Sequence, residues 1–440
     1  MSVAFNNIHP GMTQEDALKI LGTPIENLNL DSDYYMAVAH LINFPGLVTE
    51  KALLNIAQNE SSNQAVRLAR RKAIEVLARL RCVRATSVMK SCLLSEDQYL
   101  VENAVWGLQQ LCCQDINVHQ IMINLLSKNS QNRRVVIQSL ASLGVADALA
   151  PIESLLDDEQ TSVRSAACSA VIQLSGKRAL LSSLKRYLAS PKSMDRQSVI
   201  QDIIDCHGFE ILPSVLSTPV SPVFRLRAIS ALWQDMRDRP IGKFVAIWLD
   251  NLFRDDPNCL KLLHRYDSTP CKQFLLEEFF QADFSRCYLA LRTLSSCDPD
   301  NLWPLIVDFW HKRINTDYSA HYFLIQLFRL VRDWRLQHID MIKNILISSI
   351  LDQRPQFAKS RPPSILALSQ VQPSTSLSFM REWCSEQKMP DWQCRYAALM
   401  TLDTHLHHDN NDVLEVVHQC TIDSHPLVSM RARATLQSTT

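Results

Sequence analysis

The sequence predicts an all-α protein, an α-solenoid of helix-hairpin repeats that curves around a concave cavity. Three observations predict this fold class. Leucines that close similar apolar stripes recur at intervals of 31, 32 and 31 residues: Leu80, Leu111, Leu143 and Leu174. Glycine accounts for only 8 of 440 residues, too few for the many tight turns of a large sheet protein. Hydrophobic residues make up 47% of the chain, enough for the continuous core that stacked hairpins share.

The clearest repeat helix lies between residues 163 and 174. Val163, Ala167 and Val171 share one helical face because they are four residues apart. Gly176 follows, where a left-handed residue commonly ends a helix. Weaker copies of the stripe occur later, at 224–232, 394–402 and 428–436. Shorter apolar segments precede the regular copies, at 86–94, 118–126 and 149–156. A short and a long helix repeated about every 30 residues are typical of an α-solenoid.

Breaks in this pattern predict four segments of one continuous solenoid. The segments are an N-terminal adaptor (1–32), regular repeats (33–236), aromatic-rich repeats that form the candidate pocket (237–352), and C-terminal repeats with a cap (353–440). Thr13 is expected to cap a short helix over 14–21. Pro240 cannot continue the helix before it, and the three prolines of 353–363 indicate a linker.

Composition predicts a soluble, cytoplasmic protein that binds neither nucleic acid nor membranes. Lysine plus arginine and aspartate plus glutamate balance at 45 each, and no long charge-free apolar run occurs. Thirteen cysteines without a Cys-x-x-Cys pair are expected to be reduced packing residues. The histidines at 405, 407 and 408 adjoin polar residues, so we interpret them as a loop, and no metal site is predicted.

An aromatic window, 303–334, is the first candidate for a ligand site. Its rings are Trp303, Phe309, Trp310, Tyr318, Tyr322, Phe323, Phe328 and Trp334. Large rings bury much apolar area, so the window predicts either a thick core or the floor of a cavity for a large flat ligand. Composition alone leaves both interpretations open.

Titratable side chains cluster within the same window. Asp317 and His321 are four residues apart and share a helical face, with Tyr318 beside Asp317. Groups of different pKa among aromatic rings suit proton transfer. Asp317 also lies at a predicted helix start, where it would serve as an N-cap.

Arginines recur at one position of the repeat helix. Arg164, Arg225 and Arg395 occupy it, with Arg133 equivalent. Such arginines either tie adjacent repeats together or line the concave face and bind carboxylates. Arg431 in the last helix is expected on an exposed polar face.

Near Glu102, Asn103 and Trp106 the sequence differs from the other copies of the repeat. Val101 stands where the other copies have arginine. Departures of this kind tend to mark functional positions.

The stretch 99–108, which reads YLVENAVWGL, and the sequence VRSAA at 163–167 resemble the phycobilin lyases of the E/F clan. These are HEAT-repeat proteins that attach linear tetrapyrroles to antenna subunits. The resemblance spans nearly the whole chain and is strongest to the phycoerythrobilin lyases and lyase-isomerases. The valine-arginine-alanine pattern is common to HEAT arrays, whereas the Glu-Asn-x-Val-Trp pattern is more specific.

The resemblance implies an enzyme with no permanent cofactor and phycoerythrobilin as substrate. A cysteine of a phycoerythrin α-type subunit would add across the ethylidene group of ring A, so the lyase mainly positions the bilin. Some relatives also isomerise the product to phycourobilin. Asp317, Tyr318 and His321 are then the candidate acids and bases, with His311 in reserve.

The ligand-binding residues that the resemblance suggests are Glu102, Asn103, Trp106, Arg133, Arg164, Arg225, Trp303, Trp310 and Tyr322. Aromatic rings would stack on the pyrroles, and arginines would pair with the two propionates. The alternative hypotheses are a non-catalytic HEAT-repeat scaffold and a bilin carrier.

Overall fold

The computed structural model of the chain describes residues 11–404 and 411–437. Across these two ranges the secondary structure consists of α-helices joined by short 3-10 turns and one π-helical turn, without a β-strand. Contacts divide the chain into two compact units, one ending at Leu184 and the other beginning at Lys185. This boundary lies inside the predicted segment 33–236, and it crosses a helix, α11 (Leu181–Tyr187).

The first unit is a stack of helix hairpins. Its helices are α1 (Gln14–Gly22), α2 (Asp33–His40), α3 (Leu47–Gln58), α4 (Gln64–Arg79), α5 (Thr86–Cys92), α6 (Gln98–Gln110), α7 (Ile116–Leu125), α8 (Arg133–Ser142), α9 (Leu149–Glu153) and α10 (Thr161–Ser175). The long helices α4, α6, α8 and α10 pack against each other in turn, and α5, α7 and α9 pair with the long helix that follows each of them. Both predicted helix types are therefore present, in the predicted order.

A left-handed residue marks the end of five successive repeats. Positive φ angles occur at Arg81, Cys112, Gly144, Gly176 and His207, at intervals of 31, 32, 32 and 31 residues. The first three follow a repeat leucine that is the C-cap of its helix. The amide after the left-handed residue then bonds back into the helix, as Cys82 does to the Leu77 carbonyl oxygen at 3.0 Å. Glycine occupies this position in only two of the five repeats. The positions of the glycines in the sequence therefore reveal only part of the repeat pattern.

The second unit contains the remaining helices. They are α12 (Ser193–Asp205), α13 (Leu212–Leu216), α14 (Pro222–Met236), α15 (Val245–Arg254), α16 (Lys272–Glu277), α17 (Phe284–Leu294), α18 (Pro299–Phe309), α19 (Tyr318–Leu330), α20 (Leu336–Leu351), α21 (Arg361–Val371), α22 (Pro373–Ser378), α23 (Met380–Trp383), α24 (Trp392–Asp403), α25 (Asn411–Cys420) and α26 (Pro426–Gln437). Helices α17, α19, α21, α24 and α26 form a row of successive neighbours. The predicted capping by Thr13, the stop at Gly176 and the break before Pro240 are all confirmed.

Helix α15 packs outside this sequential order. It contacts α14, α21 and α26, so it bridges helices that are distant in sequence. Asp250 anchors it, because both carboxylate oxygens accept from the Arg431 guanidinium at 3.0 Å and Oδ1 also accepts from the Tyr396 hydroxyl at 2.9 Å. Arg431 is thus buried in an ion pair, and the expectation that it lies exposed is wrong.

The proline-rich stretch 353–363 is not an open linker. It forms a 3-10 turn, Pro355–Ser360, and then the first turn of α21. Phe357 is 1% exposed and Ser360 is fully buried. Two of the three prolines stand at the start of α21, where the missing amide hydrogens would have no helical acceptor.

Candidate functional site

The repeat arginines are structural tethers. Arg164, Arg196 and Arg395 each donate to the carbonyl oxygens five and six residues earlier, at 2.5–3.2 Å. Arg225 likewise donates to the carbonyl oxygen of Val220. These hydrogen bonds pair the backbone carbonyl oxygens of the turn that precedes each helix. Without the arginine, those carbonyl oxygens would lack a donor.

Aspartates neutralise most of these arginines. Arg133 pairs with Asp158 at 2.8 Å, and Arg395 makes a two-pronged pair with Asp423 at 2.7 and 2.9 Å. Of the arginines predicted to bind propionates, Arg133 and Arg225 therefore already hold carboxylates, and Arg164 is bound to its own turn. The structure corrects that prediction in favour of the tethering role.

Asp255 is the centre of a buried polar network in the second unit. Its Oδ1 accepts from Arg225 at 2.8 Å, and its Oδ2 accepts from the hydroxyls of Tyr288, at 2.6 Å, and Tyr322. Gln326 donates to the Tyr322 hydroxyl at 2.9 Å. Burial and the nearby Asp255 charge raise the pKa of Tyr288 and of Tyr322 well above 10, so both phenols keep their protons. Tyr322, predicted to stack on a ligand, is mainly part of this network.

The predicted acid–base cluster is dispersed. Asp317 caps α19, accepting from the Ser319 and Ala320 amides at 2.9 and 2.8 Å, while Tyr318 is 53% exposed. His311 lies exposed in the π-helical turn Trp310–Ile314. Within residues 11–404 and 411–437, no hydrogen bond joins the side chains of Asp317, Tyr318, His321 and His311.

His321 is buried away from solvent. Its Nδ1 lies 3.0 Å from the Ser360 hydroxyl, and Trp310 and Phe357 pack against the ring. Burial lowers the pKa of His321 to about 4. The imidazole is therefore neutral at physiological pH and enclosed by packing.

The aromatic window is a core. Phe323 and Phe328 are fully buried, and Trp334 is 9% exposed. Trp303 stacks on His338 with ring centroids 4.5 Å apart. Most of the window is therefore core, and of its rings only Tyr322 lines one of the three pockets described below.

Glu102, Asn103 and Trp106 lie on α6 in the first unit. Glu102 accepts from the Asn132 amide at 2.9 Å, and burial raises its pKa. Asn103 donates to the Arg71 carbonyl oxygen at 3.1 Å, and the Arg79 guanidinium lies 5.5 Å from the Trp106 ring centre. In the described part of the chain Glu102 has no ion-pair partner, which sets this carboxylate apart from the paired acids around it.

Sequence reasoning missed Lys359. Its Nζ lies 5.0, 4.8 and 5.5 Å from the ring centres of Phe284, Tyr318 and Tyr322. Burial lowers the pKa of Lys359 to about 8. The side chain borders a small apolar pocket with a cavity volume of about 30 Å³, lined by Pro222, Val223, Leu226, Leu252, Phe253, Tyr322, Pro362, Pro363 and Gln393. Lys359 lies in the stretch 353–363, whose prolines predict an exposed linker, so the sequence gives no signal that its side chain is buried.

Two other pockets in the second unit were also missed. One, with a cavity volume of about 140 Å³, is lined by Arg225 and Asp255 of the buried network, together with Trp248 and Ser217. The larger, with a cavity volume of about 380 Å³, is lined by Arg254, Arg329, Leu366, Ser369, Gln370, Met400, Thr401 and Thr404. No local sequence pattern marks these residues, because each pocket is lined by several helices.

Over the described ranges, no group of three metal-ligating side chains occurs, and no helix is long and apolar enough to cross a membrane. The histidines at 405, 407 and 408 lie outside the described residues.

Comparison with known proteins identifies relatives along most of the chain. A profile of HEAT repeats matches residues 118–203. The bilin biosynthesis protein CpeY of Synechococcus sp. (strain WH8020) is 37% identical over 376 residues, which cover 85% of this chain and 90% of the relative. An uncharacterized phycocyanin operon protein Y of Pseudanabaena tenuis (strain PCC 7409) is 32% identical over 394 residues, 89% of this chain and 92% of that protein.

Among solved structures, one similar chain comes from the complex of CpcE and CpcF of phycocyanin lyase from Nostoc sp. PCC7120. It has a TM-score of 0.48 and 22% sequence identity, over 56% of this chain and 96% of that chain.

Proposed function

Because this chain belongs to the family of the bilin biosynthesis protein CpeY, the HEAT-repeat phycobilin lyases, we propose that it attaches phycoerythrobilin through a thioether to a phycoerythrin α-type subunit. The observation that carries the proposal is 37% identity along 376 residues. The predicted membership in this clan and the predicted enzyme class are confirmed. Phycoerythrobilin as the substrate and the α-type subunit as the acceptor are the finer parts of the proposal.

The chemistry requires positioning more than a reactive group on the lyase. The acceptor's thiol sulfur forms a bond to the ethylidene carbon of ring A, the carbon–carbon π bond breaks, and a proton reaches the adjacent ring carbon. Nothing leaves, so atoms and charge balance without an external reagent. A lyase that holds the bilin in one orientation lowers the entropic part of this barrier.

The pocket with Arg254 and Arg329 suits the acidic part of an elongated molecule, and a small apolar pocket lies along the same helices. The apolar pocket beside Lys359 and the larger pocket with Arg254 and Arg329 are both walled by α15, α19, α21 and α24. Seven residues of α19 separate Tyr322 in the first from Arg329 in the second, which is roughly 10 Å at the helical rise. A linear tetrapyrrole has an apolar body and two carboxylates, and such neighbouring apolar and cationic walls match that chemistry.

For isomerisation to phycourobilin we propose Lys359 as the proton carrier, with Tyr318 and Asp317 as its neighbours. The shift of a double bond between rings A and B removes a proton at one carbon and returns one at another. An amine with a pKa near 8, beside the Tyr318 ring and the apolar pocket, is suited to both steps. His321 is enclosed and His311 lies outside this group, so we give them no part in it.

The test is co-expression of the chain with a phycoerythrin α-type subunit and a source of phycoerythrobilin. A covalent adduct that survives denaturation is expected, and it should be absent when the acceptor cysteine is changed to alanine. An adduct that absorbs at shorter wavelength than a phycoerythrobilin adduct indicates isomerisation, and Lys359→Gln should then give the unshifted product.

The outcomes separate the hypotheses. If several acceptor subunits give no adduct above the lyase-free background while the chain still binds bilin, it is a carrier. If it neither binds nor attaches bilin, the proposal is wrong and the scaffold hypothesis stands.

A further inference from the structure

Two guanidinium groups line the larger pocket of the second unit. Arg254 is the last residue of α15, and Arg329 lies in the last turn of α19. Arg329 donates from Nη2 to the Arg254 carbonyl oxygen and from Nε to the Gln326 amide oxygen at 3.1 Å. These bonds orient the Arg329 side chain across the end of α15. Two positive charges are therefore held at one pocket by the packing of two helices.

Neither guanidinium is paired with a carboxylate among the described residues, and Arg254 is exposed to solvent. In the ranges 11–404 and 411–437, no aspartate or glutamate forms an ion pair with Arg254 or Arg329, and the Arg254 side chain makes no hydrogen bond. Arg225, Arg395 and Arg431 of the same unit each pair with an aspartate. Burial lowers the pKa of Arg329, and the nearby charges of Asp255 and Asp256 offset this only in part. An arrangement of this kind is stabilised when an anion occupies the pocket.

The other residues that line the pocket indicate which class of anion would bind there. The Ser369, Thr401 and Thr404 hydroxyls each donate to a backbone carbonyl oxygen three or four residues earlier. The Gln370 amide can donate to a ligand oxygen, while Leu366 and Met400 are apolar. The cavity volume of about 380 Å³ lies near the lower end of the range of small-molecule sites. A fully polar anion would leave the apolar part of the wall unused. The chemistry fits carboxylates carried on an apolar body.

We propose that this pocket, with Arg254 and Arg329, is the subsite that binds the propionate carboxylates of the bilin, an inference that rests on the proposed function. Planar guanidinium groups bind carboxylates in forked pairs, so two arginines provide one fork for each propionate. Arg254 and Arg329 therefore replace Arg133, Arg164 and Arg225 as the propionate ligands.

The experiment is a titration of the full chain with phycoerythrobilin, followed by absorbance. The variants are Arg254→Gln, Arg329→Lys and, as a matched control, Arg381→Gln, an exposed arginine that pairs with Asp412. Arg254→Gln should disturb the fold less than a change at Arg329, because the Arg254 side chain makes no hydrogen bond among the described residues. Arg329→Lys keeps the positive charge but removes the planar guanidinium that can bind a carboxylate with two hydrogen bonds. We expect about tenfold weaker binding for each pocket variant and no change for the control.

A second arm uses the dimethyl ester of the bilin. The ester should bind the wild-type chain about tenfold or more weaker than the free acid, and it should bind Arg254→Gln no worse than wild type. Equal binding of acid and ester, or wild-type affinity in both pocket variants, would overturn the inference while leaving the proposed function intact. Variants that raise only the KM for the acceptor subunit would also overturn it, because the pocket would then bind acidic side chains of that protein. If the wild-type chain neither binds nor attaches the bilin, it is the proposed function that fails.

Discussion

The cores of the two units differ in the residues that they bury. In the first unit, alanines and leucines fill the space between stacked hairpins, and among its described residues no arginine, lysine, aspartate or glutamate is buried. In the second unit, the buried charged residues are Arg196, Asp202, Arg225, Asp255, Glu278, Arg395 and Arg431. The three pockets described above also lie in the second unit.

This difference indicates that the two units have different roles. Stacking by shape alone needs no buried charge, and desolvating charges costs free energy that a hydrophobic core avoids. Buried ion pairs and perturbed pKa values concentrate where a protein does chemistry. The comparison therefore points to the second unit for bilin chemistry, and the following variants test it.

The largest effect is expected for Asp255→Asn. Asparagine tolerates the left-handed backbone at this position, where φ is +45°, but it leaves the buried Arg225 charge unpaired. We expect a loss of about 3–5 kcal/mol in unfolding free energy. Urea unfolding followed by tryptophan fluorescence measures it, since seven of the eight tryptophans lie in the second unit. Asp308→Asn, which breaks an exposed pair with Lys312, is the control and should lose less than about 1 kcal/mol.

Acid should weaken the second unit through His321. The pKa of a histidine is about 6.5 when unfolded, and burial lowers the pKa of His321 to about 4. Its contribution to stability is complete above pH 6.5 and is lost as the pH falls through 4. Between these values wild type should lose roughly 3 kcal/mol more than His321→Gln. Parallel curves for both proteins would contradict this, and the exposed His311→Gln should follow wild type.

The first unit should respond to volume instead of charge. Ala167 is fully buried in the α10 stripe, so Ala167→Leu forces apart helices that the small side chain lets approach. The expected cost is about 1–3 kcal/mol, read from the midpoint of far-ultraviolet circular dichroism in urea. Ala179→Leu, at an exposed position, should change the midpoint little. Equal midpoints for the two variants would mean that the stripe is loosely packed.

Glu102→Gln is expected to have the smallest effect on stability. Burial raises the pKa of Glu102 above 4.5 in the folded chain, so its favourable contribution is present at low pH and is lost as pH rises through that raised pKa. The variant, which keeps an oxygen for the Asn132 amide, should be equal to wild type or more stable by less than about 1 kcal/mol at pH 7. A variant that is less stable at pH 7 than wild type would show that the ionised carboxylate has a favourable partner.

Sequence alone determined the helical repeats. The period of about 31 residues, the cap at Thr13, the stop at Gly176 and the break at Pro240 all rest on neighbours within a few turns of helix. Such signals are local, because backbone hydrogen bonds, caps and apolar stripes span at most about a dozen residues. The family resemblance at 99–108 is likewise readable without coordinates.

Only the tertiary structure decided which charged groups are satisfied. Arg225 meets Asp255 across 30 residues, and Arg431 meets Asp250 across 181. No sequence pattern separates these arginines from Arg254 and Arg329, which form no ion pair with the residues that the structure describes. The aromatic window became a core for the same reason: burial depends on what packs opposite a ring, not on the ring itself. Pockets are spaces between helices distant in sequence, and their walls exist only after the helices have packed.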